Sequence, residues 1–360
     1  VPSKGLQIAS CAMDNFLLQA LQGRGFTVLQ KLQGSPSCSI FSVAGKGEFS
    51  AAKVVNLQGL DDQGRIHAEQ EVSFLKGIGS HPNLIAYRDS FMLQAACPRL
   101  VIVMSLAEDG DLRGVVRDFQ TSQQKIPEPV ILSWLHQTFS GLNHIHSHSV
   151  MHRDLKTQNI FLSDRRRQLQ IGDFGISRML ESISHAESCV GTPAYMAPEI
   201  MQNEPYDYHA DMWALGCITY ELCRLQMPFK TESLLELFME VTQKEPAWQD
   251  WAYSQTLQDL ARRLLSKTAL ERPSCKELLD LEIFGDCPEE LWEEVAPGTE
   301  AEELRDGKAT WSTMAGSDMS PGGLSTVAGS DQSPARSTLD EPFDIPIEDF
   351  QKRLAEEIEG

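Results

Sequence analysis

The chain has 360 residues, 41% of them apolar and 23% charged, with a formal net charge of −20. That length and apolar share support a packed core in two or three units and exclude a collagen, a coiled coil or a wholly disordered chain. No apolar run approaches the roughly 18 residues that a membrane span needs, and residues 1–22, with Asp14 and Asn15 inside the apolar stretch, make a poor secretory signal.

The charge is uneven. From Cys287 onward, 18 acidic and 5 basic residues give −13 over 74 residues, while the first 286 carry 33 acidic and 26 basic residues, or −7. That balance argues against nucleic acid or a membrane surface as a partner. Eight cysteines without a C-x-x-C pair read as reduced thiols, the pattern of a cytoplasmic protein.

In chain order, residues 1–24 read as an N-terminal extension. Short β-like runs follow at 27–32, 39–43, 50–57, 84–91 and 100–104, with Gly45 and Gly47 flanking Lys46 at a hairpin tip. One helical pattern interrupts them, placing Ile66, Val72, Leu75 and Ile78 on one face. From Pro129 the period becomes helical: Val130, Trp134, Leu135, Thr138, Leu142 and Ile145 recur at steps of three and four. The run 212–222 is almost wholly apolar and predicts a helix buried on all sides. The expected architecture is therefore α+β and bilobal. A mostly-β N-lobe at 25–107 and a larger mostly-α C-lobe at 108–286 precede an acidic, largely flexible tail at 287–360. Within the tail Ile347, Phe350, Leu354 and Ile358 suggest a short amphipathic docking helix at 346–359.

The strongest chemical signal is Met151-His152-Arg153-Asp154-Leu155-Lys156-Thr157-Gln158-Asn159, followed by Asp173-Phe174-Gly175. The sequence here resembles the eukaryotic protein kinases, and the resemblance spans about residues 26–284. It implies the bilobal kinase fold, ATP and Mg²⁺, and transfer of a γ-phosphoryl group to protein Ser/Thr hydroxyls. Phosphoryl transfer needs positioning and neutralisation of phosphate charge. In those roles Asp154 orients the acceptor hydroxyl and takes its proton, Lys156 supplies a point charge, and Asn159 and Asp173 hold Mg²⁺. Lys53, closing Ala51-Ala52-Lys53, contacts the phosphates. It is expected to pair with Glu71, for which Glu69 is the alternative; the Val-x-x-Leu that follows favours Glu71. Ala51 and Phe161 sandwich the base, Met104 borders it, and Ser105 to Ala107 offer backbone hydrogen bonds.

Downstream, Gly191-Thr192-Pro193 and Ala197-Pro198-Glu199 resemble the end of an activation segment. Thr192 is expected near Asp154, Glu199 against Arg272, and Asp211 as the N-cap of the buried helix, bracing the catalytic loop. The stretches 152–162, 171–178 and 190–199 are similar to the NIMA-related kinases, which suggests a cytoskeletal, ciliary or mitotic setting. Ser188 then falls where an activating phosphorylation is expected, its phosphate pairing with groups such as Arg153.

One part of the pattern is missing. Between Leu32 and Ile40 the three glycine positions of a phosphate-binding loop hold Gln33, Ser35 and Cys38, and only Gly34 remains nearby. Pro36 has no N–H to offer a phosphate. A scaffold that keeps the fold and recruits partners through its tail is therefore the alternative to an enzyme. Against it stands the presence of Asp154 and Asp173. A thiol-based role for Cys38 or Cys189 is the weaker third reading, since no neighbouring charge clearly lowers either thiol.

Overall fold

The computed structural model describes residues 15–34, 38–45, 47–58, 72–73, 75–94, 98–173, 193–231 and 233–296. Five antiparallel strands form the N-lobe sheet in the order β1-β2-β3-β5-β4: β1 Phe26–Gly34, β2 Cys38–Gly45, β3 Glu48–Asn56, β4 Tyr87–Leu93 and β5 Arg99–Ser105. The hairpin expected at Gly45 and Gly47 forms there, with Gly45 opposite Glu48 and Gly47 at φ +84°. Alternation along β3 and β5 divides the side chains between two faces. Val55, Leu100 and Ile102 pack on Leu57 and Val72 on the cleft side, whereas Ala52, Val54, Val101 and Val103 point to the other face.

That outer face is covered by a helix, α1 (Asn15–Gly23), whose Leu17 and Leu21 are buried against Phe26, Phe41 and Val43. Residues 15–23, read from the sequence as extension, are thus part of the N-lobe core. Two apolar side chains four apart, one helical turn, were the signal for it. Covered on both faces, β3 is buried continuously from Ser50 to Val55.

The C-lobe is helical around one small hairpin. It comprises α2 (Leu112–Ser122), α3 (Glu128–Ser147), strands β6 (Ile160–Ser163) and β7 (Gln168–Ile171), α4 (Pro198–Met201), α5 (His209–Arg224), α6 (Leu234–Gln243), α7 (Gln255–Leu264), α8 (Cys275–Leu279) and α9 (Glu289–Val295). The six periodic residues of α3, Val130 to Ile145, are all buried, and so is every residue of α5 from Asp211 to Cys223. The boundary expected after residue 286 falls later. Trp292 and Val295 of α9 belong to the C-lobe core, Trp292 lying 6.3 Å from the ring of Trp134, so the folded body runs to residue 296. A tryptophan amid acidic residues was readable only as part of a polar tail. Residues 297–360, with the expected helix at 346–359, lie outside the described residues.

Candidate active site

Helix α5 anchors the catalytic loop. Asp211 was expected as the N-cap, but the cap position is Tyr208, and Asp211 sits inside the first turn with its carboxylate turned toward the loop. Its two oxygens accept the backbone N–H groups of His152 (2.8 Å) and Arg153 (2.9 Å), and the ring Nε2 of His146 lies 2.9 Å away. Burial works against that charge, but His146, with the charge and amide of His152, holds the carboxyl below its ordinary range. Arg153, whose amide is held in this way, has φ +66°, a left-handed conformation that the Asp211 bonds stabilise.

From that anchor the loop presents its side chains. The N–H of Asp154 points at Nδ1 of His152 (3.3 Å), so the other ring nitrogen, Nε2, donates to the carbonyl of Gly172 (2.9 Å). One imidazole therefore ties residue 154 to the approach of Asp173. The amide nitrogen of Asn159 donates to Asp154 twice, to its carbonyl at 2.7 Å and its Oδ2 at 2.8 Å. Lys156 Nζ is 3.3 Å from the same Oδ2. Among the described residues Oδ1 of Asp154 takes no hydrogen bond, and it is the lone-pair site left for an acceptor hydroxyl.

Asp173 closes the other side. Strand β7 ends at Ile171, and Gly172 bonds through its N–H to the carbonyl of Asn159 at 2.9 Å. A Cβ on Gly172 would stand 2.8 Å from the ring of Phe161 and 2.9 Å from Ile85, so only glycine fits between them. Asp173 follows with φ +53° and forms a 2.5 Å ion pair with Lys53, whose side chain is buried on β3. Burial opposes the charge on Asp173, but Lys53, aided by His152 and Lys156, keeps its carboxyl below the ordinary range. The oxygen donors these two residues have to offer are the Asp173 carboxylate and, with the Asn159 nitrogen spent on Asp154, the Asn159 amide oxygen. An all-oxygen set of that kind suits Mg²⁺, which takes one or two protein oxygens and completes its shell with water and phosphate.

The protein kinase domain family matches residues 30–284. The chain belongs to the protein kinases. It is 34% identical to serine/threonine-protein kinase nekl-2 of Caenorhabditis elegans over 273 residues, which are 74% of this chain and 73% of that protein. It is 37% identical to serine/threonine-protein kinase Nek5 of Homo sapiens over 235 residues, 63% of this chain and 31% of Nek5. With serine/threonine-protein kinase Nek4 of Mus musculus the identity is 36% over 234 residues, 65% of this chain and 29% of Nek4. The kinase thus falls in the NIMA-related group, and it spans about a third of the length of Nek5 and Nek4.

The face of the N-lobe sheet expected to meet the base carries Ala51 opposite Met104, with Ile40, Lys53 and Ile102 in one cross-strand row on the same face. Ala107 is buried, and Phe161 is half-buried and bridged to Asp111. At Ser105 the N–H donates to the carbonyl of Ala86 (2.8 Å) and the hydroxyl accepts the N–H of Ala86 (2.9 Å). Its amide is therefore a strut joining β5 to the approach of β4. In the phosphate hairpin, Gln33 pairs with Ile40 and Gly34 with Ser39, so the ladder continues to the third glycine position. There Cys38 begins β2, on the same face as Lys53. Burial raises its thiol; Lys53 pulls the other way, Asp173 adds to the rise, and the net shift is upward. A neutral thiol does not support a redox role.

Glu71, Ser188 and Thr192 lie outside the described residues, although 72–73 and 75–77 are helical as expected and Val72 is buried beside Ile102. Glu199 meets Arg272 as expected, in a buried two-pronged pair at 2.7 and 2.8 Å.

Sequence reasoning missed one network. Glu221, fully buried on α5, accepts Arg113 Nη1 at 2.7 Å, Thr157 Oγ1 at 3.1 Å and the hydroxyl of Tyr195. It joins α2, the catalytic loop and residues 193–195. Burial, with the Glu221 charge, pushes the Tyr195 phenol well up, so it stays a donor. A single acid inside the apolar run 212–222 was the available signal, since buried carboxylates have partners. Beside Asp154 lies a cleft lined by Met151, Arg153, Lys156, Met196, Ile200 and Tyr206 among others.

Proposed function

We propose that this chain is an ATP- and Mg²⁺-dependent serine/threonine protein kinase. The observation that carries the reading is the juxtaposition of Asp154, Asn159 and Lys156 with the Lys53–Asp173 pair across one cleft. Asp154 Oδ1 receives the hydroxyl of the acceptor and takes its proton as the oxygen bonds to the γ-phosphorus of ATP, whose bond to the β,γ-bridging oxygen breaks and releases ADP. Lys53 binds the phosphates and Lys156 balances charge on the transferring group. Asn159 and Asp173 would hold Mg²⁺, which would supply neutralisation of charge at the phosphate oxygens. Deep placement of these groups strengthens their electrostatics relative to water.

The reading extends to regulation and context. Arg153 is exposed at the edge of the cleft, suited to a phosphate on Ser188. A cytoskeletal or ciliary setting rests on the NIMA-related likeness, a cytoplasmic one on the cysteine pattern, and a docking partner for the tail on the apolar stripe of Ile347, Phe350, Leu354 and Ile358. Among the described residues no helix is long and apolar enough to cross a membrane.

The test is ATP turnover with Mg²⁺ on a generic Ser/Thr protein substrate beside an Asp173→Asn control. Turnover that vanishes in the control supports the enzyme. No turnover in the wild type or in Ser188→Glu, with weak or absent nucleotide binding, favours the scaffold reading that the altered phosphate hairpin raises.

A further inference from the structure

The turn between β6 and β7 spans residues 164–167, and Asp164, Arg165 and Arg166 have φ of +52°, +56° and +68°. None is glycine, and three successive left-handed residues persist only where surrounding contacts over-determine them. On the core side, the N–H of Arg166 reaches Asp109 Oδ2 at 3.0 Å, and its carbonyl accepts Trp134 Nε1 at 2.8 Å. On the outer side the contacts come from α9 and from Asp118 of α2, which pairs with Arg166 at 2.8 Å. Arg165 pairs with Glu293 at 2.8 Å, Arg167 with Glu289, and Arg166 Nη1 donates to the carbonyl of Val295 at 3.1 Å. Trp292, between the two acids, is buried against Trp134, the residue that holds the turn from within.

What this turn joins is the pair of strands that carry the metal-binding side chains. Strand β6 begins directly after Asn159, and β7 leads through Gly172 to Asp173. We propose that α9 is a positioning element for Asn159 and Asp173, acting through the 164–167 turn, so that the first residues of the acidic segment are part of the active-site scaffold. The proposal rests on the Mg²⁺–ATP reading of the site. Helix α9 lies beyond the matched family span, which ends at 284. A rotation of the turn alters how β6 and β7 cross, and with it the separation of the amide and carboxylate that share the cation. Anything that draws α9 off the turn therefore weakens metal binding before it affects the acceptor side.

The experiment uses the full chain in four forms: wild type, Glu289→Lys/Glu293→Lys, Arg165→Glu/Arg167→Glu, and the combination of both pairs. Two quantities are read, the Mg²⁺ concentration for half-maximal turnover at saturating ATP and amide hydrogen exchange at Ile171 and Gly172. Exposed ion pairs are individually weak but second-layer contacts of metal ligands are sensitive, so each reversal should raise the Mg²⁺ requirement about three- to tenfold. Exchange at Ile171 and Gly172 should quicken with it, and the combination, which restores opposite charges, should bring both back. An unchanged Mg²⁺ requirement in the reversals, or a loss of kcat and melting temperature alone, overturns the proposal. If the wild type itself shows no turnover, the kinase reading fails while the brace is still decided by exchange: a response restored by the combination keeps it, and none removes it.

Discussion

The two walls of the cleft are built on different terms. On the C-lobe wall the charged side chains expected for chemistry are present, and the loop that carries Asp154 and Lys156 is held from behind by a buried helix: Asp211 of α5 grips the amides of His152 and Arg153, and Glu221 grips Thr157. On the N-lobe wall the phosphate hairpin has lost its glycines. Strand β1 is irregular at two places along β2, and the hairpin's apolar support comes from α1, which precedes the matched family span. The difference teaches that catalytic charge and nucleotide grip are separable. Groups that act only in the transition state set kcat, whereas contacts made equally to bound ATP mainly set its KM. The chain is therefore expected to turn over with an ordinary chemical step and a weak hold on ATP.

The sharpest way to break the comparison is on the C-lobe wall. Asp154→Asn keeps the shape of the loop but removes the proton acceptor, and should lower kcat about 10²- to 10⁴-fold with little change in the KM for ATP. Phosphotransfer kinetics at varied ATP decide it; a variant that loses ATP affinity instead would merge the two walls into one binding surface.

Next in size is the anchor. Asp211→Asn leaves two loop amides and His146 facing a neutral, partly donating group, and should cost about 3–5 kcal/mol of stability. Its pH dependence has a definite sign. The folded-state pKa of Asp211 is below the ordinary value of 3.8, so its stabilisation is fully present above that value and is lost as pH falls through the lower folded value. Chemical denaturation between pH 3 and 7 should show a shallower acid decline in the variant; identical slopes would remove Asp211 as the anchor.

Much of this was legible in the sequence because the C-lobe writes its constraints in side chains. The spacing of His152, Asp154, Asn159 and Asp173 is imposed by one loop and one hairpin, and the helical period of α3 by one apolar face. What escaped reading depends on chain segments meeting from afar. Helix α9 looks like polar tail until Trp292 is seen against Trp134, and α1 looks like an extension until Leu17 and Leu21 are seen on the sheet. The role of Asp211 was half read: the bracing could be inferred, but its place within the first turn is set by the preceding residues. The bond that spends the Ser105 amide on Ala86 was not legible, because a free amide and a strand amide look alike until the partner is seen.

On the N-lobe wall, α1 offers a milder break. Leu21 is completely buried, and Leu21→Ala should cost about 2–4 kcal/mol through the cavity it leaves beneath β1 and β2. If α1 braces the hairpin, the KM for ATP should rise while kcat stays near the wild-type value. A variant with lowered melting temperature and unaltered KM would confine α1 to stability.

The smallest effect is also the most direct probe of the missing glycines. Cys38 stands at the third position on the face of Lys53, and its thiol feels both Lys53 and Asp173. Cys38→Gly removes the bulk nearest the phosphate side and restores the backbone approach that a glycine permits. One recovered hydrogen bond is worth about 0.5–1.5 kcal/mol, so the KM for ATP should fall about threefold, with kcat within twofold. The same change puts glycine opposite Val55 in the ladder and should lower stability by about 0.5–1 kcal/mol. Tighter ATP and a slightly softer fold in one variant would mean that the hairpin gave up nucleotide grip for strand pairing. An unchanged KM would instead place the deficit at Gln33 or Ser35, where the same substitution can be made in turn.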